Sequence, residues 1–115
     1  MSLPVDGWKN VNGTSDRRCN CGSWLQHWIN FSGQTWPKKC SVVNCSNPAE
    51  VGAHVYNSLA SMYEYIVPMC KSCNGKNEPF AIDEGVVKVS ANVSETCKKN
   101  VSENVSLYFD YYIPK

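Results

Sequence analysis

The chain predicts an α+β fold: a small single domain over residues 1–115, built on a ββα zinc core with an added N-terminal helix and C-terminal strands. Three observations carry that expectation. Two cysteine pairs, Cys40-Ser-Val-Val-Asn-Cys45 and Cys70-Lys-Ser-Cys73, bracket a segment of strand character. One stretch, Ser23 to Phe31, repeats its apolar residues near helical spacing. The other apolar runs are short, rich in Val, Ile and Tyr, and separated by turn residues. At 115 residues the chain can bury a core, yet it is short enough for a metal clamp to contribute substantially to its stability.

Residues 1–18 read as irregular, with Gly7, the Asn12-Gly13 turn signal and the polar run Thr14 to Arg18. A helix is expected next, over Ser23-Trp-Leu-Gln-His-Trp-Ile-Asn-Phe31. Its aromatics turn inward, Ser23 serves as N-cap and Gly33 ends it. After Pro37, Val42-Val43 and Val51 to Tyr56 read as short strands around a turn at Ser46-Asn47-Pro48. Tyr65-Ile-Val-Pro68 leads into the second cysteine pair, and a short helix is expected to open at Asn74. Val86 to Val89 and Leu107 to Ile113 have strand character, separated by the polar segment Ser90 to Ser106.

Seven cysteines in so short a chain fit either a secreted disulfide scaffold or a metal site. The odd count, the ligand spacing of two pairs and a start (Met1 to Trp8) without a basic-then-apolar signal favour metal and a reducing, cytoplasmic compartment. No apolar run approaches the roughly 20 residues of a membrane span, so no membrane partner is expected. Glycosylation acceptor patterns at Asn12, Asn30, Asn44, Asn92, Asn100 and Asn104 keep a secreted, disulfide-bonded alternative open. Thiolates from Cys40, Cys45, Cys70 and Cys73, delivered in pairs from tight turns, suit one tetrahedral structural zinc. Cys19 and Cys21, with His27 and Cys97, offer three thiolates and an imidazole for a second; the alternative is a solvent-facing His27 beside core or redox-active thiols. A net charge of +1 excludes a globally basic nucleic-acid binder and leaves local clusters at Arg17-Arg18, Lys38-Lys39, Lys71, Lys76 and Lys98-Lys99.

The order of a cysteine pair, then Ala53-His54-Val55, then Tyr65-Ile-Val-Pro-Met-Cys70-Lys-Ser-Cys73-Asn74 resembles the HNH endonuclease family, also called the His-Me finger, in its zinc-bearing treble-clef form. The resemblance covers about Cys40 to Asn77 and implies an HNH-like core at about residues 37–82. It implies structural zinc on Cys40, Cys45, Cys70 and Cys73, His54 as general base, and Asn74 beside a catalytic Mg2+, Mn2+ or other divalent cation. It also implies a nucleic acid, DNA or RNA, as partner. A neutral imidazole takes a proton from water near pH 7, while a cation draws charge from the phosphate.

The chain departs from the family pattern in three places. Ala53 stands where many members carry a metal-binding carboxylate or second histidine, Tyr65 falls where the middle Asn is expected, and four residues separate the first cysteine pair instead of the commoner two. Glu50, Glu64 and Glu78 are the nearest carboxylates in sequence. Two readings of the resemblance follow: a metal-dependent nuclease cleaving phosphodiester bonds, and a noncatalytic treble-clef zinc module binding nucleic acid or protein.

Overall fold

The strands and helices place the thiols of Cys40, Cys45, Cys70 and Cys73 on one face of a sheet and both histidines on the other. The computed structural model describes residues 3–14, 17–93 and 96. The elements run β1 (Trp8–Asn10), α1 (Trp24–Ser32), β2 (Val51–Asn57), β3 (Ser61–Met69), α2 (Lys71–Asn74) and β4 (Val89–Ser90). The four strands form one antiparallel sheet in the order β1-β2-β3-β4, giving a small α+β domain. The β2–β3 hairpin is its backbone, with Ala53 opposite Val67 and His54 opposite Ile66, and the register shifts between Tyr56 and Asn57.

Alternation along the strands sorts the side chains. On one face, Ala53 and Val55 of β2 join Val67 and Met69 of β3, Trp8 of β1, Phe80 and Ile82, and the buried thiols Cys40, Cys70 and Cys73. On the other, Ile66 and Val89 pack beneath Trp28 of α1, with Trp24, Ile29 and Trp36 at the margin. The indole N–H groups find carbonyls: Trp28 donates to Val87 O at 2.9 Å, Trp36 to Ala49 O at 3.0 Å and Trp8 to Pro4 O at 2.9 Å. Burying these large rings therefore leaves no orphaned donor.

Helix α1 begins and ends as expected. Ser23 Oγ accepts the Gln26 N–H at 3.0 Å, and Gly33 closes the helix in the left-handed region with φ 71°. Other expectations need correcting. The segment read as irregular contains β1, because Trp8 exchanges both backbone hydrogen bonds with Phe80 and lies opposite Asn57. Val42-Val43 makes only an isolated bridge from Val42 to Ile82. The strand expected over Val86 to Val89 is reduced to Val89–Ser90. Helix α2 ends at Asn74 instead of opening there, because Cys70 caps its N-terminus with its own sulfur. The strand expected over Leu107 to Ile113 lies outside the described residues. No helix among the described residues is long and apolar enough to cross a membrane.

Candidate metal centre

One pair of thiols comes from a knuckle and the other from a helix start. The knuckle is closed by the Cys40 N–H donating to Asn47 O at 2.9 Å, the Cys45 N–H donating to Val42 O at 3.1 Å, and the bridge between Lys39 and Pro48. The four-residue spacing is accommodated because Asn44 adopts φ 68°, a left-handed conformation that asparagine tolerates better than most residues. The second pair opens α2. Cys70 is its N-cap, and its Sγ accepts the Cys73 N–H at 3.4 Å and the Asn47 side-chain N–H at 3.8 Å.

The four sulfurs converge. Cys45 Sγ lies 3.8 Å from Cys70 Sγ and 3.8 Å from Cys73 Sγ, and all four ligand atoms fall within 4.8 Å of one another. A tetrahedron with zinc–sulfur bonds of about 2.3 Å has edges of about 3.8 Å. A disulfide needs sulfurs about 2.05 Å apart, and all four are thiols here. Electrostatics points the same way. Burial, then hydrogen bonding to Cys70 and Cys45, pushes the Cys73 thiol up, and burial also raises Cys40. Burial acts upward on Cys70 too, but the N–H and side chain of Cys73, with Asn47 and Cys40, outweigh it and bring that thiol down to about 7. Four thiolates cannot share this buried space without a cation to offset their charge. These residues could therefore hold a metal ion, and the all-sulfur donor set suits zinc.

Cys19, Cys21 and His27 form a second group, again with ligand atoms within 4.8 Å of one another. Cys97, the fourth residue that the sequence suggests for it, lies outside the described residues. His27 is buried on α1 instead of facing solvent.

The structure does not bring His54 and Asn74 together. His54 is in the middle of β2, 5 % exposed, on the α1 face, and the Trp24 ring covers it edge-on at a centroid distance of 4.4 Å. Its Nε2 is buried with no hydrogen-bond partner. Burial, reinforced by the Arg17 guanidinium, lowers its pKa to about 4. Asn74 is exposed at the end of α2, whose last carbonyls face the other side of the sheet: Asn10 Nδ2 donates to Cys73 O at 3.0 Å and to Lys76 O at 2.9 Å. Asn10 pairs with Val55, which packs among the cysteines. No carboxylate replaces Ala53, since that side chain is buried in the same core. Glu50 accepts the Lys71 N–H at 3.2 Å, and Glu64 is ion-paired with Arg17.

Lys38, Lys39 and Lys71 are exposed around the knuckle and the start of α2, while Lys76 is half-buried. Lys98-Lys99 lie outside the described residues. Two contributors to the site were not singled out from the sequence. Asn47, which donates to Cys70, reads there only as a turn residue, and Asn10, which caps α2 from β1, falls in the segment read as irregular. Comparisons of the chain with protein-family models, with curated proteins and with solved structures give no match.

Proposed function

We propose that the chain is a zinc-stapled binding module, with an HNH-like treble-clef core over about residues 37–82, that contacts a nucleic-acid backbone and does not cleave it. The observation that carries this reading is the set of four thiols whose sulfurs lie within 4.8 Å of one another, with Cys45 at 3.8 Å from both Cys70 and Cys73, two from a knuckle ahead of a β-hairpin and two from the first turn of the helix that follows it. Knuckle, hairpin and helix in that order are what the treble-clef resemblance calls for. A zinc ion bound there would add a covalent staple to the backbone hydrogen bonds that already join the knuckle to β3, which matters in a chain of this size.

The noncatalytic form is favoured over the nuclease by the surroundings of His54. A general base must reach a water molecule within hydrogen-bonding distance. His54 Nε2 is buried, Trp24 covers the ring, and Asn74 is on the opposite side of the sheet. Nucleic acid is the partner class because Lys38, Lys39 and Lys71 expose their charge around the same knuckle, and phosphate contacts of this kind position a backbone without reading sequence.

The test incubates the zinc-loaded chain with plasmid DNA and with a structured RNA in Mg2+, Mn2+ or Ni2+, beside His54→Ala, and follows cleavage and gel mobility. The expected result is retardation that weakens with salt and in a Lys38→Glu, Lys39→Glu, Lys71→Glu variant, with no cleavage. Cleavage by the parent and not by His54→Ala would establish the nuclease instead. Absence of retardation at low salt would remove nucleic acid as the partner.

A further inference from the structure

We propose that Cys19, Cys21 and His27 are three ligands of a second zinc ion, bound through both sulfurs and Nδ1 of the imidazole, which clamps the loop ahead of α1 onto the first turns of that helix. This site is separate from the Cys40, Cys45, Cys70 and Cys73 cluster and does not depend on it.

The first argument is the tautomer of His27. Its Nε2 lies 2.9 Å from the backbone carbonyl oxygen of Ser90. A carbonyl only accepts, so Nε2 carries the proton, and in the neutral ring, the form that binds a metal, Nδ1 presents its lone pair. That lone pair is on the side of Cys21, with Nδ1 to Sγ at 4.0 Å. Metal-ligating histidines characteristically donate their other N–H to a carbonyl or carboxylate, which fixes the ring and raises its basicity. His27 already has that partner, and at 0 % exposure it gains nothing from solvent.

The second argument is spacing. Zinc–sulfur and zinc–nitrogen bonds of about 2.3 and 2.05 Å at a tetrahedral angle set sulfur and nitrogen about 3.6 Å apart, so closing from 4.0 Å requires a few tenths of an ångström of movement. Cys19 Sγ is 3.7 Å from Ser23 O, so the Cys-Asn-Cys-Gly turn folds its first thiol back over the helix start. Gly22, at φ 98°, makes that reversal with a conformation that side chains rarely adopt.

The third argument is the loop itself. Residues 17–23 contain no strand or helix, yet both cysteines in them are half-buried against α1. Two thiolates and one imidazole occupy three of the four positions of a zinc ion and release the two thiol protons on binding. Because Trp24 lies between His27 and His54, with ring centroids at 4.9 and 4.4 Å, the clamp would also hold the indole over His54.

The test is the zinc content and the zinc X-ray absorption spectrum of the purified full chain. About two zinc equivalents are expected, with an imidazole contribution at about 2.0–2.1 Å beside the sulfur shell. His27→Gln should lose the imidazole contribution, and Cys19→Ser with Cys21→Ser should lose about one equivalent and leave an all-sulfur spectrum from the remaining ion. About one equivalent with an all-sulfur shell in the unsubstituted chain would overturn this proposal and leave the four-thiol site standing. About one equivalent with nitrogen in its shell would instead count against the four-thiol site.

Discussion

Substituting Gly52 by Ala tests how α1 is seated on the sheet. A Cβ built at Gly52 would lie 2.5 Å from the carbonyl carbon of Trp24, 2.6 Å from its oxygen and 2.7 Å from the Leu25 nitrogen. All three are backbone atoms of the first turn of α1, so no side chain can swing aside. Restoring ordinary contact needs the helix to rise by about 1 Å, and a gap of that size forfeits a quarter to a half of the dispersion attraction across it. The helix that rises is the one whose Trp28 covers Ile66 and Val89. Overpacking of this kind costs about 1–3 kcal/mol, which at a urea m-value of about 1–3 kcal/mol/M lowers the unfolding midpoint by about 1 M. The control is Gly75→Ala, whose Cβ would meet only Ser72 O and Lys71 O at 3.6 and 3.7 Å, and its effect should stay within about 0.5 kcal/mol. Urea unfolding followed by tryptophan fluorescence measures both. Equal midpoints for the two variants would refute the close seating of α1 on β2.

Other consequences concern charge and caps. His54 has a folded-state pKa of about 4 against 6.5 unfolded, so the unfolded chain binds the proton more readily. The stability linked to this ring is present above pH 6.5 and is lost as the pH falls toward 4; between pH 7.5 and 5.5 the loss is about 1 kcal/mol. His54→Gln should flatten the pH dependence by that amount in urea titrations at the two pH values, and identical pH dependences would contradict the buried, neutral ring. Asn10→Ala removes the side-chain donors to Cys73 O and Lys76 O and should cost about 1–2 kcal/mol in thermal unfolding, with faster zinc loss to a chelator. Unchanged melting and zinc loss would show that Asn10 does not support α2. Ser23→Ala should cost about 1 kcal/mol by removing the α1 N-cap, read from the urea midpoint, and no change would mean that Gln26 N–H finds another acceptor.

What was legible in the sequence was mostly local. Helix α1 could be read to within a residue because Ser23, Gly33 and the aromatic spacing all act within the helix itself. Strand β2 was legible from the run Val51 to Tyr56, and the grouping of the four thiols from the spacing of each pair; the hairpin partner was not, since the sequence sets that run against Val42-Val43 across Ser46-Asn47-Pro48, whereas β2 pairs with β3 and Val42 bridges Ile82. What was not legible depends on distant partners. Strand β1 is three residues whose pairing is supplied by Phe80 and Asn57. Asn74 reads as a helix start only until the sulfur of Cys70 is known to cap the helix four residues earlier. The need for Gly52 arises from a helix some 20 residues away in sequence, which no local propensity encodes. His54 shows the same limit most clearly: the sequence supplies an imidazole on a strand, but whether it meets water is decided by where Trp24 lands.

The most direct test of the central claim is native mass spectrometry of the purified chain beside the Cys70→Ser, Cys73→Ser double variant, paired with circular dichroism before and after chelation. The account predicts a zinc-bound parent, loss of about one zinc in the double variant, and collapse of the sheet signal when metal is stripped. A parent that carries no metal and keeps its fold, with the cysteines of the four-thiol group joined in disulfides, would contradict it.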